Sequence, residues 1–306
     1  MIKLTNLLAL LAVTSGLIFL NGCKKDKDDD EQPEVKSYRM KSMTYTDDGD
    51  TYQSVLTYNA DNRIIKITET ENGVEFYRNE WAWNGNQVVI TDSYMGNDGV
   101  WVGEDAYQRI TYSNSFVSKS EHFLNDTMSY TTNYTWNGTL LTKEIQDYYS
   151  NNVKFWSITI DYIYEDNLLT TANFTTAGLL MQKEVIEYEN GKPVRVKVYD
   201  SENLLQESSE LLYTGEKVSQ INSFHIVQGT QGEVDCSETR SYDSFGLVNS
   251  LSSQCDGDAT VYTTQIVNEE GKGNLNDLIL TNISWISAYL FPGTYPSELI
   301  AKKKKK

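Results

Sequence analysis

The sequence feature that most constrains the fold is a short phrase that recurs eight times. It consists of an apolar residue, a spacer and an aromatic residue, followed by a polar turn and a second apolar pair. The aromatic residues, here called the anchors, are spaced by 25, 29, 24, 28, 24, 25 and 29 residues, which is typical of a repeat architecture. The anchors are Tyr58, Trp83, Tyr112, Trp136, Tyr164, Tyr188, Tyr213 and Tyr242. In the last repeat, Arg240 replaces the apolar partner.

Successive side chains of a strand point to opposite faces. The apolar residue and the anchor are two positions apart, so they lie on the same face. Each repeat has room for two strands and two turns. Pairs such as Asn84-Gly85 and Asn190-Gly191 favour tight hairpins, because both residue types tolerate positive φ. The sequence therefore predicts an all-β fold, a long antiparallel meander of about sixteen strands built from eight two-stranded repeats.

A flat sheet of this size would leave two faces and two edges open, so we expect it to curl or to close like a barrel. A closed barrel of about sixteen strands is too wide to be filled by its own side chains, which predicts a wet lumen or one plugged by another element. Lys and Glu on the strands and 39% apolar content argue against an outward lipid-facing band.

The C-terminal segment departs from the strand pattern. From Asn276 to Leu290 the apolar residues have helical spacing, Asn276 can cap the helix, and Pro292-Gly293 ends it. We predict a short helix that covers the core or plugs the barrel, with an irregular closing strand or a partner-binding helix as alternatives. The tail Lys302–Lys306 is expected to lie in solvent.

The N-terminus has the features of a secretory signal peptide over residues 1–22, because Lys3 precedes an almost wholly apolar run from Leu7 to Leu20. A transmembrane helix is the alternative, which the short run disfavours. Asn21-Gly22-Cys23 resembles a bacterial lipobox, and the resemblance implies cleavage before Cys23 and lipidation of its thiol and new amino group. Asn21 departs from the commonest pattern, and plain secretion is the alternative.

Residues 23–36 are predicted to form a flexible tether, since Lys24–Pro33 is a charged run without apolar residues. Acidic residues directly after Cys23 also resemble the lipoprotein export signal of the Bacteroidetes type. That resemblance implies a lipid-anchored protein of the outer membrane, on the cell surface of a Gram-negative bacterium, with a periplasm-facing anchor as the alternative. The predicted organisation ends with a β-hairpin repeat domain, 37–270, and a C-terminal closing segment, 271–306.

Two phrases in the repeats resemble known families. Tyr242-Asp243-Ser244-Phe245-Gly246 is similar to the Tyr-Asp-x-x-Gly phrase of YD (RHS-type) repeats, and the segment 58–64 is a looser copy. Together with the lipobox and the acidic tether, the repeats resemble Bacteroidetes lipoproteins of unknown function with a porin-like β fold. The resemblance covers most of residues 40–300 and implies fold and location, but no activity.

Charge and cysteine content fit a protein of the cell envelope. The formal net charge of −17 excludes nucleic acid and anionic lipid as partners of the folded part. Cys236 and Cys255 flank the turn at residues 242–246 almost symmetrically, which predicts a cross-strand disulfide within one hairpin unless a bulge shifts the register. A metal pair is the alternative, but two further ligands are lacking nearby.

The sequence carries no signature of catalysis, of a metal site or of a cofactor. His122 and His225 are far apart in the chain, and nucleophile-elbow and phosphate-loop motifs are absent. We therefore expect a protein that is not an enzyme. Carboxylate pairs for glycoside hydrolysis could come from any two strands, and an acidic cluster on the concave face of the sheet would favour that alternative.

The regular anchors are interpreted as a structural ladder, with a sugar-binding groove as the alternative. Trp101 and Trp156 lie outside the anchor positions and are the candidate ligand-binding aromatics. Asp126-Thr127-Met128 resembles the Bacteroidetes O-glycosylation sequon, which implies a glycan on Thr127. The leading hypothesis is a non-catalytic envelope protein that is attached to the membrane by lipid on Cys23 and binds a glycan or protein ligand. A structural or adhesive component is the second hypothesis, and a polysaccharide-acting enzyme the third.

Overall fold

The computed structural model describes residues 38–47, 49–96, 98–114, 116–244, 246–256 and 260–271. The predicted signal peptide, Cys23, the tether and the predicted C-terminal helix lie outside the described residues. The elements are β1 (Tyr38–Asp47), β2 (Asp50–Tyr58), β3 (Ile64–Glu71), β4 (Val74–Asn84), β5 (Gln87–Met95), β6 (Trp101–Ser113), β7 (Phe116–Leu124), β8 (Thr127–Asn137), β9 (Leu140–Ser150), β10 (Val153–Glu165), β11 (Leu168–Thr176), β12 (Leu179–Glu189), β13 (Lys192–Asp200), β14 (Leu205–Thr214), β15 (Lys217–Val227), β16 (Thr230–Tyr242), β17 (Val248–Cys255) and β18 (Tyr262–Glu270). Within the described ranges, no helix is long and apolar enough to cross a membrane.

The strands form one closed antiparallel barrel. Each strand pairs with the next in the sequence, and β18 pairs with β1. The predicted all-β meander and its curling are thus confirmed, with eighteen strands in one sheet in place of about sixteen. Closure removes the exposed edges that an open sheet of this size would present.

The two ends of the barrel carry different sets of hairpins. The hairpins that follow the anchors, from β2–β3 to β16–β17, lie at one end, here called the anchor end. The hairpins from β1–β2 to β17–β18 lie at the other end, here called the distal end. Asn190 and Gly191 connect β12 to β13 with φ of 52° and 77°, as a two-residue turn with two positive φ angles requires.

The anchors make the same hydrogen bond in repeat after repeat. A hydroxyl or indole N–H donates to the backbone carbonyl of a buried residue near the start of the second strand of the preceding unit. The donors and acceptors are Tyr58 and Met40 (2.7 Å), Trp83 and Ile64 (2.7 Å), Trp136 and Val117 (2.8 Å), Tyr164 and Leu141 (2.8 Å), Tyr188 and Leu169 (2.9 Å), Tyr213 and Pro193 (2.8 Å), and Tyr242 and Val218 (2.6 Å). The anchors therefore link each unit to the one before it, as the structural-ladder interpretation expects.

The two additional strands make up a ninth unit whose halves lie at opposite ends of the sequence. Asn268 on β18 pairs with Met40 on β1, and the register shifts just beyond Met40, as it does beside most anchors. Asn268 takes the anchor position and donates its side-chain N–H to the Val248 carbonyl at 3.1 Å. The Met40 carbonyl in turn accepts the hydrogen bond from Tyr58. The barrel is thus closed by the same motif that builds it.

The interior at the anchor end is apolar. Inward-facing residues of the strands form one buried cluster, to which β8 and β16 add only partly buried aromatic residues, and within it Ile64, Val88 and Ile110 have no exposed surface. Side chains therefore fill this half of the interior. The sequence predicts a wet or plugged lumen for a closed barrel, and the anchor end differs from a wet lumen. Arg240 interrupts the layer with a side chain that is 1% exposed and that forms an ion pair with Glu238 at 2.6 Å.

Candidate functional site

Beyond the apolar layer, toward the distal end, the same inward alternation continues with polar residues. Glu69 follows Ile67 on β3, and Asp92 follows Ile90 on β5, each two positions further along its strand. These polar residues border a cavity of about 450 Å³ that β3 to β8 enclose. Its lining includes Glu69, Tyr77, Asn79, Trp81, Asp92, Gln108, His122 and Tyr130. A concave site with a few convergent polar groups is the usual form of a small-molecule site.

Asp92 is the most strongly fixed group of the cavity. Its carboxylate accepts hydrogen bonds from the Asn79 amide and the Tyr77 hydroxyl. Asn79 is itself oriented by the Trp81 indole N–H, which donates to the Asn79 side-chain oxygen. Burial raises the pKa of Asp92, and the two hydrogen bonds oppose part of that rise because they stabilise the charged form.

Glu69 lies on β3, separated from Asp92 on β5 by the strand β4, and its environment is different. The residue is 6% exposed and lines the cavity. Burial and, to a smaller extent, the nearby charge of Asp92 raise the pKa of Glu69 to about 7. Within the described part of the chain, no hydrogen-bond donor reaches its carboxyl group. Glu69 is therefore a carboxyl group close to half-ionised at neutral pH, and a ligand in the cavity can supply the partner that the protein does not.

His122 forms the opposite wall of the cavity. Burial lowers the pKa of His122 to about 4, so the imidazole is neutral at pH 7. Its ring stacks on Tyr130 with centroids 3.7 Å apart, and its Nε2 lies 3.3 Å from Ser120 Oγ. The Ser120 hydroxyl also accepts a hydrogen bond from Gln108 Nε2 at 2.8 Å. These contacts hold a flat, uncharged ring against the cavity.

A row of aromatic rings leads from the cavity across the neighbouring strands. His122, Tyr130, Tyr148 and Trp156 are cross-strand neighbours on β7 to β10 and are here called the aromatic row. After the first stacked pair, the ring centroids are 5.9 Å and 5.5 Å apart. The Trp156 indole N–H donates to Thr176 Oγ1 at 2.7 Å, while 41% of the residue is exposed. The stacked rings therefore line the inner wall mainly with their edges, and Trp156 at the end of the row has ring surface open to a ligand.

The two tryptophans predicted to bind a ligand are not brought together. Trp156 ends the aromatic row, whereas Trp101 lies under the guanidinium of Arg78, 4.3 Å from its ring centroid. Arg78 stands between the inward-facing Tyr77 and Asn79, so it projects from the outer wall. The structure therefore places Trp101 on the face opposite to the cavity.

The remaining predicted site residues lie outside the cavity. Cys236 and Cys255 are directly paired across β16 and β17, and their sulfurs form a disulfide. Thr127 is the first residue of β8, beside the distal turn at Asn125 and Asp126, and its glycosylation stays a prediction. Cys23 lies outside the described residues. Among the described residues, no group of three or more His, Cys, Asp and Glu side chains is placed to hold a metal ion.

Sequence analysis missed most of the cavity residues. Asn79 and Tyr77 lie four and six positions before the anchor Trp83, and Tyr130 lies six positions before the anchor Trp136. Polar and aromatic residues in phase with an anchor, but outside the repeated phrase, are the signal that marks this inner surface. That signal assigns residues to a face, and the cavity itself depends on the closure of the barrel.

Comparison with known proteins gives structural likenesses alone. No family model matches the sequence, and no curated protein does. A porin-like protein from Bacteroides uniformis ATCC 8492 is similar, with 11% identity and a TM-score of 0.43 over 74% of this chain and 96% of that chain. A porin-like protein from Bacteroides vulgatus ATCC 8482 has 8% identity and a TM-score of 0.34 over 74% of this chain and 97% of that chain. A protein with unknown function from Bacteroides fragilis NCTC 9343 has 9% identity and a TM-score of 0.16, covering 47% and 94% of the two chains.

Proposed function

We propose that this protein is a lipid-anchored component of the cell envelope that binds a glycan on the inner wall of its distal half. The observation that carries the proposal is the aromatic row, which starts at the polar cavity and ends at the half-exposed Trp156. The exposed ring surface of Trp156 suits the apolar face of a sugar ring, and the polar edges of the row suit its hydroxyl rim. Carboxyl and amide groups such as Asp92, Asn79 and Gln108 can hydrogen-bond to the hydroxyls.

A glycan fits this location better than a protein partner does. The cavity has a volume of about 450 Å³ and lies inside the barrel, so a folded partner could not place on it the patch of roughly 800 Å² that a stable protein interface requires. An oligosaccharide is narrow enough to lie along the row and to place one end in the cavity.

The outer wall supports attachment through a lipid on Cys23, with the barrel itself standing in water. Across the middle of β12 to β14, Glu187, Arg195 and Glu210 form an ion-paired ladder at 3.2 Å and 3.0 Å. Lys143 and Asp161 pair in the same way across β9 and β10 at 3.0 Å. A charge placed against lipid at the bilayer midplane costs about 2–4 kcal/mol for Lys or Arg, so this wall is suited to water.

The position of β1 supports an orientation. The strand begins with Tyr38 at the anchor end, directly after the tether 23–36. A membrane anchor on Cys23 would therefore hold the anchor end toward the bilayer, and the distal cavity would open toward the surroundings. This arrangement is expected of a protein that binds ligands outside the cell.

Glycan binding is tested with the soluble segment 37–306 on a glycan array, followed by calorimetric titration of the glycans that bind. We expect Trp156→Ala and Tyr148→Ala each to weaken binding by about tenfold or more, because each removes one stacking surface. Trp101→Ala is the matched control on the outer wall and should leave binding unchanged. Absence of binding to every glycan, or equal affinities for all three variants, would contradict the proposal and favour a protein ligand.

Attachment and location are tested in cells that express the full chain. Metabolic labelling with an alkyne fatty acid should mark the wild type and not Cys23→Ala. Protease treatment of intact cells should degrade the labelled protein. Equal labelling of both proteins would exclude the lipid anchor on Cys23, and complete protection from the protease would exclude the outer leaflet.

A glycoside hydrolase is the second candidate, because Glu69 and Asp92 place two carboxyl groups at one cavity with raised pKa values. Glycosidases use such a pair as acid and base or nucleophile. Incubation with each glycan that binds, followed by an assay for new reducing ends, separates the two functions. Release that is lost in both Glu69→Gln and Asp92→Asn would establish the enzyme, and the binding proposal expects none.

A further inference from the structure

Resting on the proposed function, we infer that the glycan bound by this site is an amino sugar whose ammonium group lies between the carboxyl groups of Glu69 and Asp92. Carboxyl groups on the inner and outer walls of the barrel differ in their charged partners.

Carboxyl groups on the outer wall have basic partners. Glu187 is paired with Arg195 and with Lys197 at 2.5 Å, and Asp147 is paired with Lys154 at 3.1 Å. At the cavity the pattern is reversed, because none of the described lining residues is Lys or Arg. The cavity thus concentrates negative charge without a protein cation to balance it.

Glu69 is the group that most requires a partner. It is 94% buried, it lines the cavity, and among the described residues it accepts no hydrogen bond. Its carboxyl oxygens open to the cavity, where a proton or the cation of a ligand can neutralise the ionised group. Asp92 faces the same space from β5, and the Tyr77 and Asn79 side chains hold its carboxylate in place.

The other walls suit an ammonium group as well. Tyr77, Trp81 and Tyr130 contribute aromatic side chains to the lining, and a cation is attracted to the face of such rings. His122 has its pKa lowered to about 4 by burial and carries no competing positive charge at neutral pH. Glu104 contributes further negative charge near Tyr77. An ammonium group would therefore meet two carboxyl groups and aromatic faces, with no positive charge on the described lining.

Binding of the cation must be coupled to proton release. Glu69 holds a proton in part of the molecules at pH 7, because its pKa is raised to about 7, and an ammonium neighbour favours the ionised form. Proton release from Glu69 should therefore favour binding as the pH rises toward 7, while loss of the proton from the sugar amine opposes it above that pH, so that affinity passes through a maximum near neutrality. Tyr77 and Tyr130 do not contribute, because burial raises both pKa values.

The test compares the β-1,4-linked glucosamine tetrasaccharide with its fully N-acetylated form, by calorimetry on segment 37–306. The two probes share a backbone and differ in the charge on nitrogen. We expect the glucosamine form to bind about tenfold more tightly or better, and its apparent enthalpy to vary with the ionisation enthalpy of the buffer. Equal or tighter binding of the acetylated form, or binding of neither probe, would overturn the inference.

Two variants assign the effect to residues. Glu69→Gln should remove the preference for the glucosamine form and the proton release, while leaving the acetylated form unaffected. Glu184→Gln is the matched control, because Glu184 is also 6% exposed and inward-facing but lies on β12, away from the cavity. A preference that survives Glu69→Gln would exclude the site. Trp156→Ala should weaken both probes equally, so a failure of the glycan proposal and a failure of the amino-sugar inference give different results.

Discussion

The anchor end and the distal end of the barrel are built from the same strands with the same alternation, yet their interiors differ in chemistry. At the anchor end, Ile64, Val88 and Ile110 are fully buried and the anchors repeat one hydrogen bond. At the distal end, the inward positions carry Glu69 and Asp92 among other polar side chains around a cavity. The periodic residues thus stabilise the barrel, whereas residues in phase with them but outside the repeated phrase form the candidate site.

The largest effect is expected from a cavity in the apolar layer. Ile110→Ala should lower the free energy of unfolding by about 3 kcal/mol, because the side chain is completely buried and its neighbours cannot fill the space. Ile163→Ala, at a residue that is 45% exposed on the outer wall, should cost less than about 1 kcal/mol. Urea unfolding of both variants measures the difference. Equal costs would show that the anchor-end interior is not the main source of stability.

The disulfide is expected to contribute somewhat less. It closes a loop with a sequence separation of 19 residues, so replacing Cys236 and Cys255 together by Ser should lower the free energy of unfolding by about 2–3 kcal/mol. Dithiothreitol should destabilise the wild type by a similar amount and leave the double variant unchanged. If the reductant affects both proteins alike, the stabilisation does not come from this bond.

The distal carboxyl groups should lower stability at high pH, opposite to the usual effect of a paired carboxylate. The folded-state pKa of Glu69 is raised from 4.5 to about 7 by burial, so the folded state binds more protons than the unfolded state between these values. This contribution to stability is present below pH 4.5 and is lost as the pH rises to 7. Glu69→Gln should therefore be more stable than wild type by roughly 2 kcal/mol at pH 8, with little difference at pH 4.5.

The stability of Glu69→Gln must be compared with that of the wild type at each pH, because the titration of His122 changes stability in the opposite sense. Its folded pKa is lowered to about 4, so its contribution is lost as the pH falls from 6.5 toward 4 in wild type and variant alike. Thermal unfolding of both proteins from pH 4 to 8 cancels that contribution. A constant difference across the range would show that Glu69 does not titrate near 7.

The smallest effect is expected from a single anchor hydroxyl. Tyr188→Phe removes the hydrogen bond to the Leu169 carbonyl and should cost about 1 kcal/mol, because a buried acceptor loses its donor. Tyr148→Phe, in the aromatic row, removes a contact to the Gln146 side chain at 3.1 Å and should cost less than about 0.5 kcal/mol. Parallel urea titrations measure both values, and the reverse order would contradict a structural ladder at the anchor end.

Most of the fold follows from local signals in the sequence. The period of two, the anchors and turns such as Asn190-Gly191 specify strands and hairpins within a few residues of each other. The ninth unit was missed because its anchor position is Asn268, which lacks an aromatic ring, and its partner Met40 lies at the other end of the repeat domain. Closure is a long-range pairing, and no local pattern identifies it.

The candidate site was predictable to a much smaller extent. Trp156 lies eight positions before the anchor Tyr164, in phase with it, whereas Trp101 lies eleven positions before Tyr112 and out of phase, so the sequence already separates their faces. Glu69 and Asp92 become a pair through the intervening strand β4 and through burial. Neither their position on two strands beside β4 nor their burial can be predicted from their spacing along the chain.

The closing unit has a mechanical consequence. Strand β1 is hydrogen-bonded to β18 on one side and to β2 on the other, and the tether enters it at the anchor end. A pull between a membrane anchor on Cys23 and a glycan held at the distal end would act along the strand. Such a force loads the ladders on both edges of β1 in shear, so that many hydrogen bonds must break together instead of one after another. A barrel closed through its first strand is therefore suited to holding a ligand under tension.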